Sequence, residues 1–142
     1  TSQVDSWGGA YLYEVDPTFS DDFLAGDGDP NCADTTTTGV SLELCSAGSI
    51  AVNDHSQTYC DDHPAVCTAP SVVASGVPAI VVSSAANAAT TASPEETENT
   101  DGDSVYVLAG FSQEPGYEFD DIVVWISPNV LKAKLVAVSQ LP

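Results

Sequence analysis

Two histidines, four cysteines and 21 acidic residues are the side chains of this chain that could carry out chemistry. A mixed group of them lies between positions 55 and 63, and a His, Cys and Asp set of this kind can bind a transition metal: His55, Cys60, Asp61, Asp62 and His63. A cysteine in a disulfide cannot ligate a metal. The sequence therefore favours the other interpretation, a polar loop closed by a disulfide.

Enzymatic function finds little support in the residue pattern. A catalytic triad needs a histidine held by a carboxylate, and both histidines lie in one loop beside a predicted disulfide. The chain contains neither G-x-S-x-G nor a glycine-rich phosphate loop. A pair of carboxylates for glycoside hydrolysis stays open, but the aromatic residues fall mostly in predicted strands, where core packing explains them. We predict that the protein is not an enzyme.

A short acidic segment, DGDPN at positions 27–31, has the spacing of the first half of an EF-hand calcium loop. The glycine that such a loop requires is Cys32, and the twelfth position is Thr38 instead of glutamate. The match is therefore incomplete.

The cysteines at positions 32, 45, 60 and 67 allow three pairings. An even number in an acidic, lysine-poor chain fits an oxidising compartment. The chain contains no C-x-x-C pair of the kind that binds zinc, and no C-x-x-C-H motif of the kind that attaches a haem covalently. We expect Cys32–Cys45 and Cys60–Cys67, because each bridge would close a short loop between turn segments. Free buried thiols are the alternative.

The charge of the chain limits its partners. Two lysines, no arginine and 21 acidic residues give a formal net charge of −19, which repels nucleic acid and anionic lipid. Adaptation to salt or divalent ions and simple solubility both explain this acidity. Apolar clusters at 80–82 and 122–126 can still form a core, and no apolar run is long enough to span a membrane.

Apolar runs separated by turn-rich segments predict one α+β domain over residues 1–142. We expect loop insertions at 16–39 and 53–76 and a further loop at 85–103. The predicted strands are 10–15, 40–45 with 50–52 as its hairpin partner, 78–84 at the centre of a small antiparallel sheet, 104–108 and 120–126.

A short C-terminal helix is expected to close the domain. Ser127 can cap a helix that starts at Pro128. Leu131, Leu135 and Val138 then follow at i, i+4 and i+7, which predicts one apolar face lying on the sheet.

Three stretches of the chain contain motifs of one protein family. Residues 5–13 read DSWGGAYLY, close to DPWGNPYxY, and residues 76–87 read GVPAIVVSSAAN, close to PAVIVSxGxNG. The third stretch has ENTDGD at 98–103, FDDIVVWIS at 119–127 and LP at 141–142. In this order the motifs resemble the entry to the sheet, the strand and turn, and the ending of the major pseudopilins of type II secretion and related type IV pilin-like, prepilin-type proteins. Ser6 and Gly9 depart from the first motif, and residues 16–75 have no counterpart.

The resemblance implies a pilin-like fold and a structural role. The chain would be the outer globular domain of a subunit that polymerises into a helical filament on the cell surface. The family's N-terminal hydrophobic helix would lie upstream of residue 1 or come from a separate pilin chain. The alternative is a binding module, a minor pilin or adhesin at a filament tip. Trp7 and Trp125 lie in family-like segments and are expected as core anchors.

The resemblance also implies a calcium ion in the loop before the last strand. Calcium is a hard cation that takes six to eight oxygen ligands, so carboxylates converging from two loop ends suit it. A solvated acidic loop is the alternative. The positions matching the family's site are Asp101, Asp103, Asp120 and Asp121, with Glu98 and Glu118 nearby.

Overall fold

The computed structural model describes residues 3–20, 44–87 and 93–138, and its elements confirm the predicted α+β class. In chain order the elements are β1 (Leu12–Val15), β2 (Ile50–Asn53), α1 (Gln57–Asp62), β3 (Val72–Val77), β4 (Ala79–Ser83), α2 (Pro94–Glu98), β5 (Val105–Val107), β6 (Ser112–Glu114), β7 (Tyr117–Phe119), β8 (Ile122–Trp125) and α3 (Pro128–Ala137). Two short 3-10 turns, Pro17–Phe19 and Ala85–Asn87, complete them.

The strands form three small sheets where the sequence predicted one. The first has the order β1-β4-β8 and is antiparallel throughout, with β4 at its centre as predicted. The second has the order β3-β2-β5, and its β2–β5 pair is parallel. Strands β6 and β7 form a separate hairpin. The chain passes from the second sheet to the first at Pro78, between β3 and β4.

Both three-stranded sheets contribute to one hydrophobic core. Its buried members are Ile50, Val52, Val77, Ile80, Val82, Tyr106 and Val123. Successive side chains of a strand point to opposite faces, so the inward residues of β4 alternate with outward ones, and Val81 between them is exposed. Each fully buried aliphatic side chain stabilises the fold by about 1.5–3 kcal/mol.

The predicted hairpin of 40–45 with 50–52 is wrong. Residues 40–43 lie outside the described residues, and Leu44 and Cys45 form a turn. Strand β2 is paired on one edge with β3 and on the other with β5, so neither edge is free for another strand.

The segment 53–76, predicted as a loop, contains α1 and β3. Helix α1 starts at a capping residue, because the Ser56 side chain accepts a hydrogen bond from the Tyr59 amide at 3.1 Å. The predicted Cys60–Cys67 disulfide is confirmed and ties α1 to the following loop. Cys32 lies outside the described residues, so the Cys32–Cys45 pairing stays a prediction.

The C-terminal helix α3 begins at Pro128 as predicted, but it does not pack as predicted. Ser127 makes no side-chain capping bond, and α3 has no buried residue. Leu131 and Leu135 are half-buried, and Val138 is exposed. The inner face of the β1-β4-β8 sheet already packs into the common core, so α3 does not cover that face. Within the described ranges, no helix combines the length and hydropathy that a membrane span requires.

Candidate metal centre

Three carboxylates converge at one end of α2. Glu96 projects from α2, and Asp120 and Asp121 come directly before β8. One oxygen from each residue lies within 4.8 Å of the others. Two oxygens bound to the same calcium ion, each about 2.3–2.6 Å from it, are at most about 5 Å apart. The spacing of this acidic cluster (Glu96, Asp120, Asp121) therefore allows all three residues to share one metal ion.

Glu96 is held in place by the way α2 begins. Ser93 and Glu96 form a capping box, in which each side chain accepts a hydrogen bond from the other residue's backbone amide. Ser93 Oγ also donates to the Glu118 carbonyl at 2.5 Å, which fixes the helix start against β7. The sequence analysis missed Glu96 because it treated 85–103 as a loop. The S-P-E-E pattern at 93–96 is the signal that could have revealed it.

Asp121 is oriented by a buried asparagine at the end of α2. Asn99 is 1% exposed, and it is fixed to β5 because its Oδ1 accepts from the Val107 amide at 2.7 Å. Its Nδ2 donates to the Val107 carbonyl at 3.2 Å and to Asp121 Oδ2 at 2.8 Å. One oxygen of Asp121 is thereby satisfied, and the other is left for a different partner.

The 3-10 turn Ala85–Asn87 supplies two further contacts of the acidic cluster. The Ala86 amide donates to Asp120 Oδ2 at 3.2 Å, and Asn87 Nδ2 donates to Glu96 Oε1 at 2.6 Å. The site is thus built from the end of the β4 segment, the start of α2 and the start of β8.

The hydrogen-bond donors of the acidic cluster do not satisfy all of its oxygens. Among the described residues, the buried atoms Asp120 Oδ1 and Asp121 Oδ1 have no hydrogen-bond partner, and Asp121 is 7% exposed. The ion pairs formed by described residues involve His55 and His63, and neither reaches the cluster. The pKa of Asp121 is raised to about 6, mainly by burial; the Asn99 hydrogen bond opposes the rise, and the charges of Glu96 and Asp120 contribute to it. The arrangement can hold a metal ion, which would supply the missing positive charge.

The four predicted calcium ligands are divided by the structure. Asp120 and Asp121 belong to the acidic cluster, whereas Asp101 and Asp103 are exposed in the turn before β5. There each caps the backbone: Asp101 Oδ1 accepts from the Asp103 amide at 3.2 Å, and Asp103 Oδ1 accepts from the Val105 amide at 2.9 Å. One oxygen of each residue is thus an acceptor within the turn, and the two residues remain predicted ligands that lie outside the acidic cluster.

The two other acidic residues near the predicted site also lie outside the cluster. Burial, together with the charges of Asp103 and Asp101, raises the pKa of Glu98. Glu118 Oε2 accepts from the Gly116 amide in the β6–β7 turn at 2.9 Å.

The histidine-containing group forms an aromatic stack instead of a metal site. Cys60 is in a disulfide, so it cannot ligate a metal. Tyr59 lies between His55 and His63, with ring centroids 4.4 and 4.3 Å away. His55 Nδ1 contacts buried Glu95 at 2.9 Å. The incomplete EF-hand pattern at 27–38 lies outside the described residues.

The outer face of the β1-β4-β8 sheet is a second candidate feature, and the described part of the chain leaves it exposed. Tyr13, Val81 and Val124 are aligned across the three strands and are 71%, 40% and 60% exposed. Exposed side chains beside this row extend the apolar surface, and we call the whole set the apolar sheet face: Trp7, Tyr11, Tyr13, Val81, Ile122, Val124 and Ile126.

Trp7 belongs to this face and not to the core, so its prediction as a core anchor is wrong. It is 54% exposed, because a tight turn holds it on the outer side of the sheet. Buried Asp5 organises that turn by accepting from the Trp7 and Gly9 amides at 3.0 and 2.8 Å and from Ser83 Oγ at 2.6 Å. Trp125 packs against the core as expected.

Comparison of the chain with protein-family models, curated proteins and solved structures gave no match. The geometry of the acidic cluster and of the apolar sheet face is therefore what supports a function.

Proposed function

We propose that this chain is the outer globular domain of a type IV pilin-like or pseudopilin-like filament subunit, with a structural and not a catalytic role at the cell surface. The observation that carries the proposal is the apolar sheet face. In this role the face covers an apolar helix, supplied by the same protein or by a partner pilin chain, and the helix forms the filament's interior.

The composition of the apolar sheet face fits an apolar helix as its occupant. In a chain of net charge −19, seven exposed residues of this face are aliphatic or aromatic, and none is charged. Asp5 lies beneath it but is buried and hydrogen-bonded to Ser83. Contiguous apolar patches on a monomer mark interaction sites. An acidic or strongly polar partner would leave this surface unmatched, whereas an apolar helix would bury it.

Binding of a model helix tests this role. The probe is an alanine–leucine peptide of about 20 residues, the length that spans a bilayer, with uncharged solubilising ends. Trp125→Phe leaves Trp7 as the reporter, and we expect its emission to shift to the blue as peptide is added. Val124→Ser should weaken binding by roughly tenfold, because a buried valine contributes about 1.5 kcal/mol.

The matched control is Val72→Ser on β3, a strand valine that is 65% exposed but lies on the other sheet. This variant should bind the peptide like the unchanged protein. Absence of any blue shift, or equal weakening by the two variants, would contradict the proposed role of the apolar sheet face.

Calcium is the metal that we propose for the acidic cluster. The cluster offers oxygen ligands only, which suit calcium or magnesium and not zinc. Magnesium demands near-ideal octahedral geometry and gives up its water reluctantly. Calcium accepts irregular sets of carboxylates completed by carbonyls or water, and three carboxylates on short elements are such a set. Bound calcium would tie α2 to the start of β8.

Thermal melting tests the calcium proposal. Binding to the folded state adds about 2.7 kcal/mol to stability at a hundredfold excess over the dissociation constant. We expect the melting temperature to rise in calcium more than in sodium chloride of equal ionic strength, since salt alone screens the net charge. Asp121→Asn should remove the calcium-specific rise, and Asp101→Asn should keep it. Identical responses to the two salts would rule out the site.

A further inference from the structure

One face of helix α3 is exposed and is not covered by any residue in 3–20, 44–87 or 93–138. Its half-buried residues, Leu131, Lys132 and Leu135, lie on the side toward the domain. Residues three and four apart share a helix face, so the opposite side presents Val130, Ala133, Lys134 and Ala137, all exposed. Val130 is 57% exposed, and Val138, one turn beyond Lys134, is 62% exposed.

The charges on α3 are unlike those elsewhere on the chain. Lys132 and Lys134 are the only two basic residues besides the histidines, against 21 acidic ones. Lys132 is used within the domain, where its Nζ donates to the Leu44 carbonyl at 2.7 Å and to the Ser46 carbonyl. Lys134 is exposed and forms no ion pair with any described residue.

We infer that the Val130–Lys134–Val138 stripe of α3 docks on the carboxylate-rich surface of a second copy of this chain. A second copy carries a net charge of −19, so a lysine of one copy that has no partner among the described residues of its own domain meets an excess of carboxylates on the next. The α3 stripe is the place where a cation and apolar surface come together. The inference rests on the proposed function, because a filament needs lateral contacts between identical subunits.

The contact joins different surfaces on the two copies. The cationic stripe of one copy meets the acidic surface of the next, so the contact is head-to-tail and can repeat along a filament. A single helix stripe is far smaller than the interface of a stable dimer. The isolated chains should therefore associate weakly, and neighbouring contacts in the filament would add to one another.

Zero-length cross-linking tests the inference, because lysines are so few. A carbodiimide reagent joins an amine to a carboxylate in direct contact, and its peptides are assigned by mass spectrometry. Equal amounts of unlabelled and nitrogen-15-labelled protein are mixed at high concentration. We expect mixed-isotope peptides that join Lys134 to an acidic residue. Lys132, bound to backbone carbonyls, should give far fewer.

Substitutions on α3 separate charge from packing. Lys134→Gln should weaken self-association, measured by sedimentation, by roughly two- to fivefold, as expected for one exposed ion pair. Val130→Ser should weaken it similarly, and Lys134→Arg should retain it. Lys134 cross-links that occur only in single-isotope peptides, as contacts within one chain would give, would overturn the inference. Unchanged association of the Gln and Ser variants would also overturn it.

The two proposals can fail separately. The model-helix experiment concerns the apolar sheet face and does not involve α3. Peptide binding without Lys134 cross-links between copies would overturn the α3 contact alone. Cross-links between copies without peptide binding would support the contact and count against the docked helix of the proposed function.

Discussion

Asp16 and Asp121 are two buried carboxylates whose surroundings differ in one respect, the supply of hydrogen-bond donors. Asp16 is 1% exposed and accepts from Thr18 N and Oγ1 at 2.9 and 2.6 Å and from Ser49 N and Oγ at 2.5 and 2.8 Å. Asp121 accepts from Asn99, and its Oδ1 has no hydrogen-bond partner among the described residues. The donors around Asp16 satisfy both of its oxygens, whereas those around Asp121 satisfy one.

The pKa values of the two carboxylates shift in opposite directions for this reason. Burial alone would raise the pKa of Asp16, but the hydrogen bonds from Ser49 and Thr18 outweigh it and lower the pKa. The pKa of Asp121 is raised to about 6, mainly by burial and also by the charges of neighbouring Glu96 and Asp120. A buried carboxylate is therefore structural when backbone and hydroxyl donors surround it, and is a candidate ligand when other carboxylates do.

Removing the Asp16 carboxylate should have the largest effect. Asp16→Ala leaves the Ser49 and Thr18 donors without their acceptor, which costs about 3 kcal/mol or more of unfolding free energy. Urea denaturation measures the loss. Asp54→Ala is the control, because Asp54 Oδ1 accepts one exposed hydrogen bond, from the Ser71 amide, and its loss should cost less than about 1 kcal/mol. Equal losses would show that the donors around Asp16 contribute little.

The surroundings of Asp16 also explain why its neighbour is glycine. A Cβ built on Gly48 would lie 2.8 Å from the Val77 carbonyl oxygen and 3.1 Å from Asp16 Oδ2. The backbone at Gly48 therefore lies so close to the end of β3 and to the Asp16 carboxylate that a residue with a Cβ does not fit at this position.

Removing the Asp121 charge should have a smaller effect of opposite sign when calcium is absent. In chelator, Asp121→Asn should raise the unfolding free energy by about 1–2 kcal/mol, because it removes a buried charge that faces other carboxylates. Asp101→Asn changes the net charge equally at an exposed position and should have little effect. A loss of stability in Asp121→Asn under chelation would indicate that the acidic cluster is balanced without a metal.

The parts of this molecule that the sequence predicts are those with strong local patterns. The apolar runs of β4 and β8 and the Ser-Pro start of α3 have a clear pattern in the chain itself. The partners of β2 could not be predicted, because strand pairing depends on how segments that are far apart in the sequence pack together in the folded domain. The position of Trp7 could not be predicted either, since an aromatic residue next to a strand can face the core or solvent. The turn organised by Asp5 determines that Trp7 faces solvent.

Two of the three residues of the acidic cluster could be predicted from the sequence. Asp120 and Asp121 follow from the resemblance and from their position before the last strand. Glu96 depends on a five-residue helix that forms because Ser93 and Glu96 cap it reciprocally. The exclusion of Asp101 and Asp103 could not be predicted, because it depends on their side chains turning back to the nearby backbone amides.

The smallest expected effect is a pH dependence with opposite signs at the two carboxylates. In chelator, the raised pKa of Asp121 penalises the folded state fully above pH 6. The penalty decreases as the pH falls toward the unfolded value near 4, so stability should rise by about 1 kcal/mol between pH 7 and pH 5. Asp16, with a lowered pKa, keeps its contribution above its unfolded pKa and loses it only as the pH falls further. The urea midpoint should thus pass through a maximum near pH 4–5, estimated roughly from these two pKa ranges.

Protonation of other carboxylates also relieves repulsion, so the difference between the unchanged protein and Asp121→Asn isolates the effect of this group. If the two proteins gain the same stability on acidification, the pKa of Asp121 is not raised, and its buried oxygen must have a partner that neutralises it.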